Sequence, residues 1–106
     1  MTLWHLAHAR TGDKGDTCNI SLIAFDARHY DHLREHVTAE RVRALFHEIV
    51  RGDVIRYELP EIGALNFVLT RALGGGVTRS LALDAHGKSL SSALLTLDIP
   101  APLEAS

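Results

Sequence analysis

The chain has 106 residues, 46% of them apolar and 23% charged, with a formal net charge of −2. That length buries one core, roughly two-thirds of the unfolded surface, and is too short for a second domain. The 11 basic residues are scattered among 13 acidic ones, without the basic patch of a nucleic-acid binder, and no apolar run nears the roughly 20 residues needed to cross a bilayer.

The single cysteine, Cys18, has no intrachain partner for a disulfide, and MTLWHLAHAR lacks the apolar stretch of a signal peptide. These features lead us to expect a cytoplasmic protein. Residues 3 to 10 and 19 to 25 are short, apolar-rich and flanked by turn formers, which predicts two strands. The stretch Thr11 to Cys18 between them is expected to be a long hairpin loop.

After Asp26 the apolar period changes. YDHLREHV has the length of one or two helical turns. Thr38 then offers an N-cap to a helix in which Val42, Leu45, Phe46 and Ile49 recur at helical spacing. Gly52 stands where a left-handed C-terminal cap falls.

VIRYEL, from Val54 to Leu59, alternates as a half-exposed strand and is stopped by Pro60. Leu65, Val68, Leu69, Ala72 and Leu73 share one helical stripe, so a second main helix is expected there, ending at Gly74, Gly75 and Gly76. Leu81 to Asp84 reads as a strand, DAHGK as a turn, LSSALL as a short segment capped by Ser89, and TLDI as a final strand before Pro100 and Pro102. The sum is an α+β two-layer sandwich, with two main helices on one face of a mixed β-sheet. The other face is then either polar and water-facing or covered by a partner.

RTGDKGDTCN, residues 10 to 19, is the densest polar stretch. Gly12 and Gly15 allow positive φ and inward-turned N–H groups, while Lys14 and Arg10 add cations, an arrangement suited to a phosphate or carboxylate. Asp13 and Asp16 oppose a bare anion unless those cations neutralise them. Their spacing does not match a calcium loop, and a plain Asx-turn in which both carboxylates accept backbone N–H groups fits equally well. GGGVTRS, residues 74 to 80, has more glycine than a helix end requires and brings Thr78 and Arg79.

His32 to His36 spells H-x-x-E-H, an inverted zincin pattern. With seven histidines in the chain, a short host helix and no third ligand marked, these are read as solvated histidines, and neither a metal nor a cofactor is expected. Cys18 is read as a small core residue rather than a nucleophile, the usual role of an isolated cysteine, and of His5 and His8, three apart in a strand and so on opposite faces, at most one could serve it as a base.

Taken in order, RTGDKGDTCNISLIA, LREHVTAERVRALF, RYELPEIGALNFVLTRALGGGVTRSL and LDAHGKSLSSALL resemble the small domain of acyclic-terpene-utilisation (AtuA-like) proteins, from about Leu6 to Ile99. The resemblance implies a ferredoxin-like fold, a single domain over residues 1 to 100, and a tail from 101 to 106. It also implies family-pattern positions at Gly12, Asp13, Lys14, Gly15, Asp16, Asn19, Asn66, Gly74, Gly75, Gly76, Thr78 and Arg79.

In that family the small domain follows a much larger one or forms a separate chain. The resemblance therefore implies an accessory subunit of a separately encoded large AtuA-like protein, in the breakdown of isoprenoid or branched acyl compounds, with an acidic small molecule such as an acyl-CoA as ligand. On that reading Arg10, Lys14 and Arg79 contact the acid and share a recess. Two alternatives stay open: a hydratase- or lyase-type half-site with Asp13 or Asp16 as base and Lys14 or Arg79 stabilising charge, or a purely structural oligomerisation module.

Overall fold

A computed structural model describes residues 1–14, 17–48, 50–71 and 89–102. Two strands, β1 (Ala7–Lys14) and β2 (Thr17–Ala24), are followed by two short helices, α1 (Tyr30–His36) and α2 (Ala39–Leu45). Strands β3 (Val54–Leu59) and β4 (Ala64–Leu69) come next, and a third helix, α3 (Ser89–Leu94), lies near the end. The strand order is β1-β2-β4-β3, and every pairing is antiparallel.

The fold is therefore α+β, as expected, with the sheet antiparallel in its described strands where a mixed one was anticipated. The expected strand Leu81–Asp84 lies outside the described residues. Leu3–His5, at the start of the first predicted strand, is instead a turn of 3-10 helix. TLDI contributes a single bridge, Thr2 to Asp98, in place of a strand.

The largest correction concerns residues 65 to 73, where a second main helix was expected and β4 stands. Leu65, Phe67 and Leu69 are fully buried while Asn66 and Val68 between them are only half-buried, a period of two. The apolar set also fits a helical stripe, but Phe67 and Val68 prefer a pleated surface and six residues are strand length. The chain is turned into β4 by a 3-10 turn, Pro60–Ile62, and by Gly63, whose φ of 66° a side chain rarely adopts.

The connection from Thr11 to Cys18 is also not a long loop. The β1–β2 ladder runs through Gly12↔Asn19 and Asp13↔Cys18 to Lys14↔Thr17, leaving two residues between the strands. Asp13 and Lys14 thus stand at the last positions of the β1 ladder.

One side of the sheet carries the core. Cys18, Ile20 and Leu22 of β2 and Leu65, Phe67 and Leu69 of β4 join Leu33 and Val37 from around α1, Val42 and Phe46 from around α2, and Leu90 and Leu94 of α3 in one buried cluster. Each such side chain removed from water contributes roughly 1.5–3 kcal/mol.

Thr38 caps α2 as its sequence position suggested, its Oγ1 accepting from Arg41 N at 3.1 Å. Gly52 has a different role from the expected left-handed cap. A Cβ there would collide with the Thr70 hydroxyl and stand 2.7 Å from the Thr70 carbonyl oxygen, so the glycine is required by close approach to the strand end.

Candidate functional site: the sheet face opposite the helices

Because side chains alternate along a strand, the ladders decide which residues share a face. With Cys18, Ile20 and Leu22 inward, the outward row at mid-strand is Arg10, Ser21, Asn66 and Tyr57. Toward the hairpin end the next row is Gly12, Asn19, Val68 and Ile55, and toward the other end it is His8, Ile23, Ala64 and Leu59. Of the described side chains on this face only Ala64 is buried.

The centre of the face is polar. Asn66 Nδ2 donates to Ser21 Oγ at 2.9 Å and, more weakly, to Asn19 Oδ1 at 3.4 Å. That ties the strands' middle residues together and leaves the Asn66 carbonyl oxygen, the Ser21 hydroxyl proton and the Asn19 amide able to meet a partner group. Gly12 lies against this cluster, the site of its missing Cβ being 3.1 Å from Asn19 Nδ2. Arg10 is exposed at the rim, with no ion pair among the described residues.

The other rim is apolar and exposed. Ile55 is 41% exposed, Tyr57 52% and Leu59 38%, all from β3. The alternation of VIRYEL is thus the reverse of an ordinary amphipathic strand. Its apolar set faces out, while Arg56 turns beneath α1 and donates to the carbonyls of Arg34 at 2.6 Å and Val37 at 2.9 Å.

Those contacts supply donors to carbonyls left over at the helix end. Phe25, 63% exposed and stacked on His8 with ring centres 5.6 Å apart, and Ile62, 65% exposed, extend the apolar surface at the far end.

The fold thus brings Arg10, Gly12, Asn19 and Asn66 onto one surface although Asn66 lies far from the others in sequence. Lys14 and Asp13 occupy the last two positions of the β1 ladder. Gly15, Asp16, Gly74, Gly75, Gly76, Thr78 and Arg79 lie outside the described residues, and so does the expected meeting of Lys14 with Arg79.

Sequence reasoning missed Ser21, Ile55 and Tyr57. A serine two positions from Asn19, inside an otherwise apolar strand, was the available signal for the first.

Cys18 is fully buried on the covered face, whereas His8 lies on the opposite one and His5 is exposed. The thiol is therefore a packing group. No helix among the described residues is long and apolar enough to cross a membrane.

The family model of the AtuA ferredoxin-like domain matches residues 1–100. No curated protein and no solved structure matches the chain significantly.

Proposed function

Since the chain belongs to the AtuA ferredoxin-like domain family, we propose that it is an accessory domain whose sheet face opposite the helices, left open by the described residues, docks on a large AtuA-like chain. The observation that carries this reading is the outward apolar set of β3, Ile55, Tyr57 and Leu59, beside the bonded group Asn19, Ser21 and Asn66. Exposed apolar side chains standing together beside oriented polar groups mark an interaction surface, whereas a solvated sheet face would normally be polar throughout.

Tyr57 supplies the large anchor, the Asn66 carboxamide fixes register, and Arg10 at the opposite rim meets an acidic group of the partner or of a ligand held between them. An acyl-CoA of isoprenoid or branched acyl breakdown is the ligand class this reading carries. The domain's contribution is then binding and orientation rather than bond-making.

Co-expression with the large chain and capture on a tag tests this. The wild-type pair is expected to co-purify, and Tyr57→Ala and Asn66→Asp to lose most of the capture while remaining folded. Equal capture of both variants would overturn the assignment of this face.

A further inference from the structure

On the helical side of the sheet a groove of about 760 Å³ runs between α1 and the segment Pro100–Ala101–Pro102. His32, Glu35 and His36 all line it. Positions four apart on a helix lie one above the other, and the His32 and His36 rings are 4.5 Å apart at their centres with a 57° tilt.

The His32 ring is held in a particular protonation pattern. Its Nε2 is 2.6 Å from the Pro100 carbonyl oxygen, which can only accept, so Nε2 carries the proton. In the neutral imidazole the lone pair then resides on Nδ1. A ring N–H held by a backbone carbonyl is the arrangement that orients metal-binding histidines and raises their basicity. The His36 ring makes no hydrogen bond among the described residues, so either of its nitrogens can ligate.

The local charges also permit a cation. Arg28 pairs with Asp26 at 2.8 Å, Arg34 with Asp31 at 3.5 Å and Arg56 with Glu58 at 3.1 Å. Glu35 has no ion pair among the described residues and stands between the two histidines in sequence.

We propose that His32 and His36 form a two-imidazole site for one divalent transition-metal ion, zinc or nickel in class, with its remaining positions open to water and to an anion in the groove. Two nitrogens on one tetrahedral ion stand about 3.3 Å apart, given metal–nitrogen bonds of about 2.0–2.1 Å, a spacing left to rotation of the His36 ring while His32 stays on the Pro100 carbonyl. Imidazole suits zinc, nickel and copper over magnesium or calcium. This differs from a zincin centre, for among the described residues no three His, Cys, Asp or Glu groups are placed to enclose an ion.

The test is titration of the full chain with Zn²⁺ and with Ni²⁺ near neutral pH, followed by calorimetry and by the imidazole nitrogen resonances. One ion per chain at micromolar affinity is expected, shifting the resonances of His32 and His36 alone. His36→Ala is expected to weaken binding by roughly tenfold or more, with His47→Ala unchanged.

His36 is the decisive position because its ring makes no hydrogen bond among the described residues, and circular dichroism checks that the helix persists. Wild-type affinity in His36→Ala, shifts confined to other histidines, or no saturation below about 1 mM would each overturn the proposal.

Discussion

Across the β1–β2 ladder Gly12 stands opposite Asn19, and Asn19 Nδ2 lies 3.1 Å from the point that a Cβ on Gly12 would occupy. Gly12→Ala therefore presses on a side chain, which can rotate, rather than on backbone, which cannot. Stability should change by no more than about 1 kcal/mol, since lost glycine flexibility offsets the crowding. Capture of the large chain should fall, because Asn19 can yield only by giving up its 3.4 Å contact with Asn66. Unchanged capture beside an unchanged urea midpoint would show that this carboxamide does not orient the interface.

Gly52 presents the opposite case. Its absent Cβ would meet both the hydroxyl and the carbonyl oxygen of Thr70, and the carbonyl belongs to a strand end that cannot swing away. Gly52→Ala should cost about 1–3 kcal/mol in urea unfolding, the range for forced overpacking. Pairing it with Thr70→Ser should not restore stability, since the carbonyl stays in place.

The strand at 64–69 makes a direct prediction from its alternation. Phe67 is fully buried, and Phe67→Ala should destabilise by about 3–5 kcal/mol. Val68 is half-buried on the outer face, so Val68→Thr should cost well under half of that. Similar losses at both positions would contradict the inward and outward assignment.

Tyr30 is 7% exposed, and its hydroxyl is buried with no hydrogen-bond partner among the described residues. Burial, and next the nearby Glu58, raise its pKa above 10.0. Tyr30→Phe should leave stability equal or raise it by up to about 1 kcal/mol, because an unsatisfied hydroxyl is costly to bury. The sign for pH follows: the folded pKa is the higher one, so the wild type loses stability as pH rises past the unfolded value of 10.0. Thermal melts of the variant should lack that tyrosine contribution.

At the acid end the relevant group is Asp26. The Arg28 side chain and then its backbone N–H, 2.9 Å from Oδ1, hold the carboxyl at about 2 instead of 3.8. A depressed folded pKa means that the stabilisation is complete above 3.8 and is lost as pH falls toward 2. Asp26→Asn should melt lower than wild type near neutral pH and converge with it in acid. Parallel curves across that window would remove the ionic contribution.

Several elements were legible because their signals are local. Thr38 before the helical period of Val42 and Phe46 marked α2, and VIRYEL between Asp53 and Pro60 marked β3 to the residue. The strand β4 was not legible, because Leu65, Val68 and Leu69 satisfy a helical spacing as well as Leu65, Phe67 and Leu69 satisfy a strand. The tie is broken by pairing with β2 and β3, which is tertiary.

The site was partly legible for the same reason. Arg10, Gly12 and Asn19 belong to one short motif. Asn66 came only through the family resemblance, because its position opposite Ser21 depends on the register of strands more than forty residues apart. Tyr57 and Ile55 share one side of the VIRYEL alternation, but alternation alone does not say which side faces water.

The order β1-β2-β4-β3 places Asn19, Ser21 and Asn66 on the two strands that are laddered on both flanks, whereas Arg10 and Tyr57 ride on strands laddered on one flank among the described residues. Amides of β2 and β4 should accordingly be the slowest to exchange with deuterated solvent, while the rims open more often. A visiting surface would meet a pre-set central triad that loses little freedom on contact, and would find the adaptable side chains waiting at the periphery.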